Sequence, residues 1–395
     1  MTKTHTMKIG FDAKRLYNNF TGLGNHSRTT IDILTTEFPE HEYYLYTPKT
    51  RLNRVTEPYL TKEGCHTVQP CGIMKGGAWR TFGLASAMKA DGVQLFHGLS
   101  NEIPVGLRRA GIPSVVTIHD VAFNTFPDMY YWHDRQIYDL KWKYACRNAD
   151  RIIAISECTK RDIMRFYDVP DDRIDVVYQP VAPRYYIADA SAGNDADTAD
   201  GATAPQAQPS LPELAGRDYM LYVGSVNSRK NLLGIVKAME MMPRDLDLPL
   251  VIVGDGGAYK QKVQEYITRH GMDDRFLWPK NVSQDTLMSL YRSARLFVYP
   301  SFYEGFGLPV VEAQLCGCPV VTSNVSSLPE AGGPFALKAD PTEPADISAQ
   351  MVKILTDTDL RISLAAQGRD YALRTFHPSV LARELMATYR KVLSD

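Results

Sequence analysis

The sequence predicts an α/β protein of two doubly wound, parallel-sheet domains, each Rossmann-like. Three observations predict it. Short apolar runs alternate with glycine turns and helical stretches in two successive series, 7–166 and 219–322; this βα alternation is that of a parallel sheet with helices on both faces. The length, 395 residues, exceeds what one hydrophobic core usually serves, so two domains are the default. Between the series, residues 188–210 hold no large apolar side chain and cannot bury enough surface to offset the cost of ordering. The expected division is 1–185 for the first domain, 186–213 for a flexible linker or insertion, 214–377 for the second domain and 378–395 for a closing helix.

In chain order, Met7-Lys-Ile-Gly-Phe-Asp12 is a first strand. Thr21-Gly-Leu-Gly-Asn-His-Ser-Arg28 then leads into a helical stretch ending near Phe38-Pro39. Strands are expected at 41–47, 93–97, 114–119 and 151–155, and helices at 130–148 and 159–166, the latter with Ser156 in the N-cap position. The 114–119 strand delivers His119 at its carboxyl end, where open α/β sheets place ligand contacts. Gly22-Leu-Gly24 lacks the third glycine of a dinucleotide fingerprint, and no acid closes the second strand, which disfavours NAD binding. The second series reads strand 219–223, helix 229–240, strand 249–253, helix 258–270, strand 295–299, helix 309–316 and strand 319–322. A last helix is expected over 379–393.

Two segments carry chemistry. Ser301-Phe-Tyr-Glu-Gly-Phe-Gly-Leu-Pro-Val-Val-Glu312 sets Glu304 and Glu312 around a helix start with seven residues between them. Glu304 lies in a glycine-flanked loop that a ligand can approach closely, and Pro309, with Gly317 and Pro319 beyond, brackets a helix. That helix N-terminus aims N–H groups and a positive dipole end at Gly305, Phe306, Gly307 and Leu308, which favours an anion there. Glu312 in the first turn can accept two hydrogen bonds from a vicinal diol. Diphosphate, ribose diol and hexose are the three parts of a nucleotide sugar. The second segment, 219–231, reads as strand, turn at Gly224 and Ser225, then helix, with Arg229 and Lys230 near the helix start. Cations are misplaced at that end unless an anion sits between them, and a diphosphate would supply it.

Composition narrows the classes. Apolar content of 44% and charged content of 23% are those of a globular protein. A net charge of −1 does not support nucleic-acid binding. The six cysteines form no C-x-x-C pair and read as free thiols of a reducing cytoplasm. Residues 1–6 show no signal peptide, and no apolar run approaches the length of a membrane span. The acidic run 195–201 fails the register of a calcium loop and reads as solvated linker, so no metal site and no cofactor are expected.

The 301–312 block and its continuation Ala313-Gln-Leu-Cys-Gly-Cys-Pro-Val-Val-Thr-Ser-Asn324 resemble the E-x7-E signature of retaining family-4 glycosyltransferases. The resemblance covers nearly the whole chain apart from 188–210. It implies the GT-B fold, two Rossmann-like domains facing a central cleft, with the acceptor side first, the donor side second and the last helix packed back on the first domain. It implies that Gly224, Arg229 and Lys230 hold the donor diphosphate, that His119, in Val-Thr-Ile-His-Asp120, lies over the donor sugar, and that Gly22-Leu-Gly24 faces donor and acceptor. It also implies that Glu304 orients the sugar during front-face attack and that segments beginning at Gly254 and ending at Val282 touch the base. Phe276-Leu-Trp-Pro-Lys-Asn-Val282 departs from the family pattern, and Trp278 fits a core position as well as a stacking platform. The opening Gly-Phe-Asp-Ala-Lys-Arg…Thr-Gly-Leu-Gly-Asn resembles bacterial mannosyltransferases of surface-polysaccharide assembly, implying GDP-mannose as donor and a glycan or lipid-linked acceptor.

Two basic and apolar stretches, 75–84 and Arg108-Arg109, fit contact with the inner membrane face, and fit equally a half-buried helix and a solvated turn. The alternatives to a transferase are a GT-B-like nucleotide-sugar epimerase and a catalytically silent partner subunit.

Overall fold

Two parallel sheets organise the chain. In the computed structural model, which describes residues 6–187, 214, 216–246 and 248–394, contacts divide the chain into two units. One is Met1–Ala182 with Phe376–Asp395, the other Pro183–Thr375. The expected linker 186–213 lies outside the described residues from 188 onward.

The first unit runs β1 (Lys8–Asp12), α1 (Gly22–Glu37), β2 (Glu42–Tyr46), β3 (Cys65–Val68), α2 (Leu84–Asp91), β4 (Leu95–Gly98), β5 (Ser114–Ile118), α3 (Trp132–Asn148), β6 (Arg151–Ala154), α4 (Glu157–Tyr167) and β7 (Ile174–Val176). Its strands lie in the order β3-β2-β1-β4-β5-β6-β7, all pairs parallel. Every residue of β5 is buried, as a strand covered on both faces requires. Ser156 caps α4 by accepting the Thr159 N–H at 3.0 Å, the capping role expected of it.

The second unit runs α5 (Arg184–Ile187), β8 (Met220–Val223), α6 (Leu232–Glu240), β9 (Leu250–Val253), α7 (Ala258–Arg269), β10 (Phe276–Leu277), α8 (Gln284–Ser293), β11 (Leu296–Tyr299), α9 (Leu308–Leu315), β12 (Val320–Ser323), β13 (Leu337–Ala339), α10 (Pro344–Thr356) and α11 (Thr358–Thr375). The strand order is β10-β9-β8-β11-β12-β13, again all parallel. A last helix, α12 (Pro378–Ser394), belongs to the first unit. Its Leu381, Leu385, Met386, Tyr389 and Val392 recur at helical spacing and join the core of Phe11, Leu95 and Val115. Each such side chain contributes about 1.5–3 kcal/mol by burial, so α12 is an integral part of that core.

Three expectations need correction. The helix expected over 229–240 is broken: Ser228–Lys230 is a 3-10 turn and α6 starts after Asn231, whose φ of +57° is left-handed. Gly22 and Gly24 are not a loop but the first turn of α1, behind Thr21. The unit boundary falls at 182/183 rather than after 185, because Tyr185 is buried against the second unit, its ring 6.5 Å from that of Tyr291.

Candidate active site

In the second sheet β8 and β11 are neighbours, but the chain continues from them to opposite sides. Such a switch point opens a crevice at the strands' carboxyl ends, where doubly wound sheets bind ligands. The segment after β8 carries Gly224, Ser225, Arg229 and Lys230; the segment after β11 carries Ser301 to Leu308.

Local chemistry staples the two together. Asn227 accepts the Lys230 N–H at 3.2 Å and closes the 3-10 turn. Asn231 tolerates the left-handed conformation that ends the turn, and its amide donates to the carbonyls of Pro300 at 3.1 Å and Pro341 at 2.7 Å. The Phe302 N–H donates to the Arg229 carbonyl at 2.8 Å. Behind them the Gly224 and Gly254 backbones cross so closely that a Cβ on Gly254 would lie 1.9 Å from the Gly224 carbonyl oxygen. Gly254 is therefore required by packing, whatever ligand it faces, and Gly224 is favoured by its φ of +149°.

Glu304 is the centre of this arrangement. Its carboxylate lies 3.0 Å from Arg229 Nη1 and 3.1 Å from Lys230 Nζ, accepts from the Tyr299 hydroxyl at 2.9 Å and has Ser301 Oγ at 3.0 Å. Arg229 also donates to the Tyr303 carbonyl, and Lys230 to the Tyr299 hydroxyl. Burial alone would raise the Glu304 carboxyl, but the Lys230 and Arg229 charges reverse this and hold it at about 2. The backbone of Glu304 is fixed as firmly. Its N–H donates to Ser326 Oγ at 3.0 Å, and its carbonyl accepts from the hydroxyls of Ser326 at 2.7 Å and Ser327 at 2.8 Å.

Gly307, with φ +115°, opens α9, and no side chain caps the helix. Pro309 stands in its first turn, as expected. A Cβ at Gly307 would also lie 2.7 Å from Leu328 Cδ2, so both conformation and space demand glycine there. Glu312, one turn along, retains some exposed surface and accepts from the Tyr291 hydroxyl at 3.2 Å. Burial pushes its carboxyl up to about 7, against the lowering effect of the tyrosine hydroxyl and of Arg184. The two glutamates of one motif thus differ sharply: Glu304 is held ionised by two cations, while Glu312 titrates near neutrality.

The remaining donor-segment residues are spread around the ends of β9 and β10. Ser225 is exposed and its hydroxyl accepts from the Asn227 amide at 3.1 Å. Lys260 pairs with Asp255 at 2.8 Å and stands 5.1 Å from the ring centre of Trp278. That ring is partly exposed, so Trp278 is not a core residue. Val282, also partly exposed, precedes Ser283, which caps α8 by accepting the Thr286 N–H at 3.1 Å.

His119 belongs to the first unit, following β5. Its Nε2 lies 2.8 Å from the Leu99 carbonyl, which can only accept, so Nε2 carries the proton and Nδ1 accepts from the Gln179 amide at 2.8 Å. Burial lowers its pKa. Both ring nitrogens are committed, leaving no lone pair free to take a proton. His26, in the second turn of α1, meets the His119 ring edge-on at 4.5 Å, which brings the Gly22-Leu-Gly24 turn beside His119. A Cβ on Gly24 would lie 1.8 Å from the Asn19 carbonyl oxygen, whereas one on Gly22 would meet nothing within 4 Å. The glycine at 24 is thus a packing requirement, and Gly22 alone leaves open space.

The structure therefore brings Glu304, Arg229, Lys230 and Gly224 together, with the loop Gly305 to Leu308 leading to Glu312. Sequence reasoning missed Tyr299, Ser301, Asn231, Ser326, Tyr291, His26 and Gln179. Asn231 carried a readable signal, an asparagine immediately before an apolar helical run. The others act through contacts between residues distant in sequence.

The comparisons place the chain in a family. Residues 29–185 match Glycosyltransferase Family 4 and residues 205–371 match Glycosyl transferases group 1; the chain belongs to these glycosyltransferases of GT-B fold. Among characterised relatives it is 34% identical, over 279 residues, to O-antigen chain mannosyltransferase B of Escherichia coli, covering 69% of this chain and 68% of that one. It is 28% identical over 278 residues to the serotype-specific mannosyltransferase WbdA of the same species, covering 67% of this chain but only 32% of the longer relative. A glycosyltransferase structure from Rickettsia africae superposes with a TM-score of 0.73 at 16% identity, covering 99% of this chain and all of that one. HepE of Anabaena, solved with UDP, gives 0.71 at 16% over 98% of this chain and all of that one. The chain is a hexosyltransferase homologue of polysaccharide biosynthesis. Among the described residues no helix is long and apolar enough to cross a membrane.

Proposed function

We propose that the protein transfers mannose from GDP-mannose, with retention of configuration and without a metal ion, to a glycan or lipid-linked acceptor of a surface polysaccharide. The observation that carries this reading is the convergence of Arg229 and Lys230 on Glu304 beside an uncapped helix start. A departing diphosphate gains negative charge as the glycosidic bond breaks, and fixed cations and a helix N-terminus are what stabilise it. Such cations would supply the charge stabilisation that a metal ion supplies elsewhere. Glu304, tied to two cations and two hydroxyls, is poorly suited to attack the anomeric carbon. This supports front-face attack, in which the acceptor oxygen bonds to that carbon on the side the diphosphate leaves and the departing phosphate oxygen takes the acceptor proton. The relatives named mannosyltransferases support the sugar. GDP follows from that choice, because mannose is commonly activated as its GDP ester. Glu312 would accept from the ribose diol, the segments from Gly254 and before Val282 would lie along the base, and His119 would line the sugar from the first domain.

The test is a transfer assay with GDP-mannose, UDP-glucose and ADP-glucose, followed by NMR of the product linkage. GDP-mannose, an α-configured donor, is expected to be used preferentially and to yield an α-mannoside. A β-mannoside would overturn retention, and preference for a uridine or adenosine donor would overturn the base and sugar assignment.

A further inference from the structure

We infer that Tyr185 is a further donor-binding residue, whose hydroxyl donates to the ribose diol beside Glu312; the inference rests on the ribose role proposed for Glu312. Both residues belong to the second unit, where α5 packs against α9. Aromatic contacts fix the place of Tyr185. Phe297 of β11 meets Tyr291 of α8 edge-on at 5.4 Å, and Tyr291 meets Tyr185 edge-on at 6.5 Å, the arrangement aromatic pairs prefer. Tyr291 is fully buried and Tyr185 is only 4% exposed.

The two tyrosine hydroxyls fare differently. That of Tyr291 donates to Glu312 Oε2 at 3.2 Å. That of Tyr185 is buried and has no hydrogen-bond partner among the described residues. It nonetheless stands near Glu312: burial pushes the Tyr185 hydroxyl up, the Glu312 charge adds to this, and the hydroxyl in turn counters the rise of the Glu312 carboxyl. The two groups are close enough to act on each other but are not joined by a hydrogen bond of ordinary length and angle. A tyrosine so shifted stays protonated and remains a donor. Burying a hydroxyl without a partner is costly, and one kept beside a carboxylate that faces a ligand points to the ligand as its partner. The chemistry is complementary. A diol that gives both hydrogens to an ionised carboxylate keeps its oxygen lone pairs and calls for a donor. Glu312 then offers only acceptors, and the Tyr291 hydrogen is already committed to it. Arg184, whose charge also reaches Glu312, is exposed to water. Tyr185 supplies the enclosed donor, so acceptor and donor together would read the ribose hydroxyls. A site built in this way rejects an analogue that lacks them, because its own buried groups are left unpaired.

The test is calorimetric titration of the full chain, Tyr185→Phe and Glu312→Ala with GDP and with UDP, each beside its 2′,3′-dideoxy analogue. It is run at about pH 8, above the value of about 7 to which burial pushes Glu312. For whichever nucleotide binds, the unaltered chain is expected to hold the dideoxy analogue about 30-fold or more weaker. Tyr185→Phe is expected to bind the parent nucleotide about 5–10-fold weaker and the dideoxy analogue unchanged. Its thermal stability without ligand should be undiminished, because phenylalanine keeps the ring packing and removes a hydroxyl that makes no bond. A merely structural role for Tyr185 would instead lower stability and weaken both nucleotides alike. Parent affinity unchanged in Tyr185→Phe, or an equal loss with both nucleotides, would overturn the inference. Discrimination lost in Glu312→Ala but wholly kept in Tyr185→Phe would overturn it while leaving the ribose role of Glu312 standing. An unaltered chain that binds neither nucleotide, or binds parent and analogue equally, would sink that ribose role and the inference with it.

Discussion

Lys230→Ala is expected to lower turnover of mannosyl transfer by about 10²–10³-fold while weakening donor binding much less. Lys230 Nζ stands between Glu304 Oε1 at 3.1 Å and the Tyr299 hydroxyl, and its side chain is largely buried at 12% exposure. A cation so enclosed faces little screening. Its interaction with the diphosphate grows as that group takes up charge in the transition state, so its loss falls on the rate more than on ground-state affinity. Glu304 keeps Arg229 in the variant, which leaves its charge paired and the fold intact. A folded Lys230→Ala enzyme with full turnover would remove the phosphate clamp from the account.

Glu312→Ala is expected to weaken GDP-mannose binding by about 1.5–3 kcal/mol, the range for charge-assisted hydrogen bonds. The pH dependence is distinctive. With its carboxyl pushed up to about 7 by burial, Glu312 is protonated on the acid side and cannot accept from both diol hydroxyls. Affinity should rise with pH up to about 7 and flatten above it, and Glu312→Gln should abolish the rise. The effect on stability has the opposite sign. A carboxyl whose folded pKa is raised favours the fold while protonated, and that contribution is lost as pH climbs from the ordinary carboxylate value through about 7. The diphosphate of GDP-mannose is a diester with no ionisation in this range, so calorimetric titration across pH reports Glu312. An affinity independent of pH in the unaltered chain, or unchanged by Glu312→Ala, would contradict the ribose role.

The two domains and most of the central strands were legible because β5, β8, β11 and β12 are continuously buried runs bounded by glycine, proline or charged residues. The strands that escaped, β3, β7, β10 and β13, have two to four residues. Such elements lie toward the sheet edges and are specified by their neighbours rather than by their own pattern. In the site, Gly307 and Pro309 could be read because the local backbone favours those residue types, and the two glutamates because they flank the helix start that this glycine and proline mark. The Tyr299 hydroxyl on Glu304 could not be read so directly. In sequence it is one more aromatic residue of a buried strand, and only the fold shows its hydroxyl at a carboxylate. Glu304 and Glu312 look alike in the motif, and their opposite pKa shifts arise from Arg229 and Lys230 on one side and the burial of Glu312 on the other.

The most direct test of the central claim is the initial rate of mannose transfer from GDP-mannose in excess EDTA, with the unaltered chain beside Arg229→Ala and Lys230→Ala. If two side-chain cations and a helix N-terminus stabilise the leaving diphosphate, the unaltered chain keeps its full rate under chelation and both variants lose it. Activity abolished by EDTA and restored by magnesium or manganese would contradict the account.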